Sequence, residues 1–257
     1  MIDPNLFAEA KPLDRVQHRT LRLDFNAVRH DRTAGRNSLF VAAVEFGDVC
    51  REYPIVFIDA GAGEGGKTEV APVAVLGLAS GENLMLQQGG GWAARYVPAL
   101  LRGYPFGVAR VDKDNFVVVF DAKEGALAEQ GGEPLFDSAG QPTVALKERH
   151  RFVEEFEREA QRTRLACQRL IELDLLRPMR FDATLPDGKQ VSVEGFRTVN
   201  VERMAALTDA QIVELHKNGL LGLIHAHQIS LPLMRTLVER RLERAQHATP
   251  AANQAIA

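Results

Sequence analysis

Short apolar runs broken by glycine and proline fill the first half of this chain, and apolar residues at three- and four-residue spacing fill the second. Leu39–Phe46, Tyr53–Ile58, Val73–Leu78, Asn83–Leu86 and Asn115–Phe120 each predict a short strand. The turn signals between them, Gly61 to Gly66, Ser80-Gly81 and Gly89-Gly-Gly-Trp92, favour hairpins over parallel crossovers. Arg95–Arg102 predicts a short helix bounded by Gly103 and Pro105. Residues 1–37 are polar and show little periodicity, which predicts an extended arm.

Near Pro142 the texture changes. Phe152, Phe156, Ala160, Thr163, Cys167 and Leu170 recur with charges between them, predicting a long amphipathic helix ended by Arg177-Pro178. Its seven basic residues from Lys147 to Arg169 alternate with five glutamates and read as a solvated face. Phe181–Phe196 reads as a hairpin turning at Pro186-Asp-Gly188. Thr208 and Gln211 have the spacing of a capping box, and Asn218-Gly219 stops the helix they open. A last helical stretch, Leu220 to about Arg244, breaks at Pro232, where Ser230 is expected to cap a second segment. The pattern predicts an α+β fold. An antiparallel β-rich region over 1–142 packs with a mainly helical region over 143–245 in one integrated domain, and 246–257 form a flexible tail.

Composition narrows the function classes. With 46% hydrophobic and 25% charged residues, 257 residues can bury a sizeable core. The net charge of −3 divides into −5 up to Pro142 and +2 beyond it, too mild to point to nucleic acid or a membrane surface. No run approaches the roughly 20 apolar residues of a spanning helix, and the first residues lack a secretory pattern. A cytoplasmic protein without membrane insertion or a nucleic-acid partner is expected. Two cysteines, Cys50 and Cys167, are too few for a disulfide framework or a four-cysteine zinc site.

One motif invites a catalytic reading. Gly61-Ala-Gly-Glu-Gly-Gly-Lys-Thr68 fits the phosphate-binding loop, whose backbone amides cradle phosphates while Lys67 and Thr68 serve the terminal phosphate and magnesium. A nucleotide hydrolase would use Gly61, Gly66, Lys67 and Thr68, with Asp121 after the strand Val117–Phe120. Such a loop must open a helix. Pro72 and the β-branched residues around it predict a strand there, so a plain hairpin turn is the leading expectation. His225 and His227, two apart on a helix, cannot share an ion, and no metal or cofactor is expected. No Gly-x-Ser-x-Gly elbow is present.

The remaining candidates are charged and aromatic: Glu45, Arg51, Glu52, Tyr53, Trp92, Arg95, Tyr96 and Tyr104. Arginine beside aromatic faces can hold a carboxylate or a peptide. The plainer reading is Arg–Glu pairs bracing strand ends, with the aromatics in the core. Catalysis by Glu45, Arg51 and Glu52 has no signature of its own.

These residues also carry a resemblance. Val44-Glu-Phe46, Arg51–Phe57, Leu76-Gly-Leu78 with Gly81–Leu84, Trp92 with Arg95–Pro98, Tyr104-Pro-Phe106, Glu133–Phe136 and Leu221–His227 together resemble the bacterial SapC family over about residues 10–240. The resemblance implies an accessory or peptide-handling role. Family context implies halogenase-like or other protein partners, while the charged and aromatic residues predict a groove beside the N-terminal sheet where Arg51, Trp92, Arg95 and Tyr96 hold a peptide or small anionic ligand. Members are at times labelled peptide-transport permeases, a label this sequence does not fit. No family catalytic residue carries over, and the landmarks bypass Gly61–Thr68.

Overall fold

The computed structural model describes residues 6–24, 26–62, 66, 68–110 and 116–247. Strands are β1 (Ala10–Pro12), β2 (Arg22–Leu23), β3 (Ser38–Phe40), β4 (Ile55–Ala62), β5 (Thr68–Val75), β6 (Phe106–Arg110), β7 (Phe116–Asp121), β8 (Leu127–Ala128), β9 (Glu133–Pro134), β10 (Leu176–Thr184) and β11 (Gln190–Val199). Helices are α1 (Phe46–Val49), α2 (Ala99–Gly103), α3 (Val144–Glu172), α4 (Val201–Ala205), α5 (Asp209–Lys217), α6 (Leu220–Ser230) and α7 (Met234–His247). The fold is α+β, with antiparallel sheets mainly in the first half and helices mainly in the second.

The principal sheet runs β10–β11–β4–β5–β3. The predicted strand at Leu39 stops at Phe40, because the Glu45 carboxylate takes the Ala42 amide (2.8 Å) and turns the chain into a 3-10 turn and α1. Asn83–Leu86 is not a strand either. The Asn83 side-chain oxygen accepts from the Met85 and Leu86 amides and folds the segment on itself. The arm prediction holds only in part: β1 pairs with β7, and β2 sits between β8 and β9.

Helix α3 ends earlier than its proline suggests. Leu173 closes it, Asp174 takes a left-handed φ of 54°, and Pro178 lies inside β10. That strand is the sheet edge, where a missing backbone donor costs nothing to a neighbour. The hairpin β10–β11, the Thr208–Gln211 capping box and the left-handed Gly219 all appear where the residues place them. Helix α7 runs through His247, and the rest of the expected tail lies outside the described residues.

Ser230 does not cap. Its hydroxyl accepts from the Ile55 amide (2.8 Å) and donates to the His227 carbonyl (2.6 Å). The His227 ring completes the join: Nε2 accepts from the Val199 amide (3.1 Å), so Nδ1 carries the proton and donates to the Ile55 carbonyl (2.8 Å). Helix α6 thus supplies ladder partners to β4 and β11 at the sheet's root. Burial lowers the ring's pKa to about 4, against the Ile55 bond that raises it. The larger core gathers buried side chains from Leu6 to Leu237; a second, around Leu23, Phe106, Phe120, Leu135 and Leu146, fills the space beneath α3.

Candidate functional site

The segment 92–104 is held from behind by two carboxylates. Glu52 accepts the backbone amides of Arg95 and Tyr96, each at 2.8 Å. Glu45, only 3% exposed, accepts from the Ala99 amide (2.6 Å), the Ala42 amide (2.8 Å) and the Tyr96 hydroxyl (3.0 Å). Burial raises the Glu45 pKa, and those hydrogen bonds oppose the rise. The buried Tyr53 hydroxyl donates to the Tyr96 carbonyl and accepts from the Trp92 indole (2.6 Å). Burial also pushes its pKa up. These contacts fix the backbone of the segment and take the amides of Arg95, Tyr96 and Ala99.

A second brace comes from the C-terminal helix. Arg244 on α7 donates to the carbonyls of Asn83 and Leu86, both at 2.7 Å, and Arg241 pairs with Glu82 at 3.2 Å. Asn83 in turn donates to the Thr33 carbonyl (3.0 Å), and Thr33 closes a turn on His30. The His30 amide reaches the Gly90 carbonyl (3.3 Å). Gly90 has a φ of 76°, and a Cβ there would lie 2.7 Å from the Asp31 carboxylate. Only glycine permits this approach.

In front of the braced segment lies a cleft of about 390 Å³. Its basic lining is Arg95, Arg102, Arg149 and His30. Tyr96 and Tyr104 add ring surface, and Val28, Val97 and Leu101 form an apolar floor. No described residue of the lining carries a carboxylate. The Arg102 guanidinium lies against both the Tyr96 and Phe152 rings, 5.2 and 5.3 Å from their centroids, and donates to the Tyr96 hydroxyl (3.0 Å). Arg149, on the first turns of α3, reaches the Arg102 carbonyl (3.4 Å). Arg95 is exposed, and its guanidinium makes no hydrogen bond or ion pair to any described residue. Trp92 packs edge-on against His30 at 5.5 Å between centroids. Burial lowers the His30 pKa, against the opposing charge of Asp31.

The predicted residues therefore divide. Arg95, Tyr96 and Tyr104 face the cleft, while Glu45, Glu52, Tyr53 and Trp92 build the wall behind it. Arg51 joins neither group: it is exposed and pairs with Asp48 one helical turn back (3.8 Å). The Tyr104 hydroxyl is spent on Asp121 (2.9 Å). His30, Arg102 and Arg149 escaped the sequence reading. His30 and Arg149 lie far from the segment in the chain, and Arg149 looked like one more charge on a solvated helix face; Arg102 lies within it, at the end of the short helix predicted from Arg95.

The glycine loop has a different environment. Ala62 pairs with Thr68 and Gly61 with Glu69 in one antiparallel hairpin, and Thr68 opens a strand where a phosphate-binding loop would open a helix. Asp121, read as its metal partner, belongs to another sheet. It accepts from the amides of Ala8, Glu9 and Lys123 and from Tyr104, which outweigh the upward push of burial and hold its pKa down. Gly66 lies at the hairpin tip; Lys67 lies outside the described residues.

A larger hollow, about 630 Å³, sits on the outer face of β10 and β11. Its arginines are all engaged: Arg180 with Asp182 (2.8 Å) and Glu194 (3.5 Å), Arg197 with Asp59 (2.8 Å).

No helix among the described residues is long and apolar enough to cross a membrane. A family model, SapC, matches residues 13–237 of the 257-residue chain. No curated protein and no solved structure matches it.

Proposed function

We propose that this chain, which belongs to the SapC family, is a non-catalytic accessory protein that holds a small anionic ligand, a peptide carboxylate included, in the cleft before residues 92–104. One observation carries the reading: Arg95, Arg102 and Arg149 line a single cleft, and the exposed Arg95 guanidinium there makes no hydrogen bond or ion pair to any described residue. Like charges gathered in one cleft repel one another, and a bound anion relieves that repulsion. Guanidinium forks suit carboxylate oxygens. Among the described lining residues none supplies a thiol, serine hydroxyl or carboxylate, so the one imidazole, His30, has no such nucleophile beside it to activate, which favours binding over catalysis.

Thermal unfolding with panels of carboxylates, phosphates and short peptides tests this. Anions should raise the midpoint of the wild-type protein and leave Arg95→Glu unmoved. Equal shifts in both proteins, or no shift with any anion, would overturn the reading.

A further inference from the structure

We infer that His30 joins Arg95 in gripping the anion, and that its imidazole takes up a proton as the anion binds, an inference that rests on the binding reading above. Most polar side chains of the cleft are already committed. Arg102 donates to the Tyr96 hydroxyl and lies against two rings, and Arg149 donates to the Arg102 carbonyl. The Tyr96 and Tyr104 hydroxyls donate to Glu45 (3.0 Å) and Asp121 (2.9 Å). Two lining groups differ. Neither the Arg95 guanidinium nor the His30 ring makes a hydrogen bond to any described residue. Yet His30 is firmly placed. Its amide donates to the Gly90 carbonyl (3.3 Å), and its own carbonyl accepts from the Thr33 amide (2.8 Å) and hydroxyl (2.6 Å). The ring packs edge-on against Trp92, three residues before Arg95. The backbone is thus tied on both sides while the ring nitrogens are left for a ligand.

Of the groups lining the cleft, only the imidazole changes charge between about pH 5 and 8. The arginines keep their charge, and burial pushes both tyrosine hydroxyls up, that of Tyr96 to about 12. Burial holds the free His30 ring below its ordinary value, against the charge of Asp31 beside it in the chain. The other charged groups at the cleft are Arg95 and Arg102 from the 92–104 segment and Arg149 from α3, and their sign opposes an imidazolium. The free ring is therefore mainly neutral near pH 7. A bound anion sets a second negative charge beside it and favours the imidazolium, whose two N–H groups both donate. The ring then binds its proton more tightly in the complex than in the free chain, so binding draws a proton from solution. Affinity is greatest below the free ring's pKa, falls as pH rises through the complex's pKa, and levels off above it.

Calorimetric titration of the full chain with sulfate and with benzoate tests this, since neither anion titrates between about pH 5.5 and 8. In two cationic buffers of different ionisation enthalpy, the wild type should take up at least about half a proton near pH 6.5 and bind about threefold or more tightly at pH 5.5 than at pH 8. His30→Gln should take up none and bind with one affinity across that range. Trp92, the only tryptophan of the chain, touches His30 and gives a second readout. Imidazolium should quench its emission as the wild type is acidified, and either anion should move the midpoint to higher pH. Binding without proton uptake, uptake that persists in His30→Gln, or a Trp92 midpoint that the anions leave in place would overturn the role of His30 while anion binding stands. If neither anion binds even at pH 5.5, both readings fall together.

Discussion

The two hollows of this molecule differ in a way their sizes would not suggest. The larger, on the β10–β11 hairpin, contains arginines that each meet a carboxylate on the same sheet. The smaller, before residues 92–104, contains arginines whose nearby carboxylates, Glu45 and Glu52, are turned behind the wall and spent on backbone amides. Volume ranks the hairpin first; the unpaired guanidinium of Arg95 ranks the cleft first. Charge is the better guide, because a neutralised surface has nothing left to offer a ligand.

The strongest way to break this contrast is to remove the wall. Glu45→Ala strands two amides and a hydroxyl, at about 1–3 kcal/mol each, so a loss of about 3 kcal/mol or more is expected in urea unfolding. Anion binding should go with it. A loss below about 1 kcal/mol would mean the wall is not what holds the cleft.

Acid should act on the other side. His227 pins the root of the hairpin sheet and is lowered from 6.5 to about 4. Between those values the unfolded chain binds a proton that the folded chain excludes, so stability rises with pH across the window. The contribution, roughly 3 kcal/mol, is complete above pH 6.5 and lost as pH falls toward 4. Urea midpoints measured from pH 4.5 to 7.5 should climb steeply in the wild type and more shallowly in His227→Gln. Equal slopes would contradict the assignment.

A charge swap at each hollow sharpens the comparison further. Arg95→Glu should weaken binding of a carboxylate by at least about tenfold in titration, with folding unchanged, whereas Arg180→Glu should leave binding alone. The smallest effect belongs to Asp59→Ala. It removes an exposed pair with Arg197 and should cost less than about 1 kcal/mol, with no change in ligand affinity.

Much of the scaffold was legible because it is local. The Thr208–Gln211 box, Gly219 and the Pro186-Asp-Gly188 turn each act within a few residues, so their letters suffice. Readings failed where a distant side chain intervened. Glu45 ended the strand begun at Ser38, and the Ser230 oxygen accepts the Ile55 amide instead of capping the segment that follows it. The site was half legible for the same reason. Arg95, Tyr96, Arg102 and Tyr104 are neighbours in sequence, but His30 and Arg149 meet them only through tertiary folding. Arg51 looked equally promising, but it lies outside the cleft and pairs with Asp48.

The two bonds from Arg244 to the carbonyls of Asn83 and Leu86 have a consequence for biosynthesis. Chains are made from the N-terminus, and early regions begin to fold before later ones exist. The segment before Trp92 is synthesised about 160 residues ahead of the helix that grips it. A ribosome-bound chain that has completed α3 but not α7 would hold its arginines on a wall braced from one side only. Both sides of the brace therefore come into place only once α7 has been made.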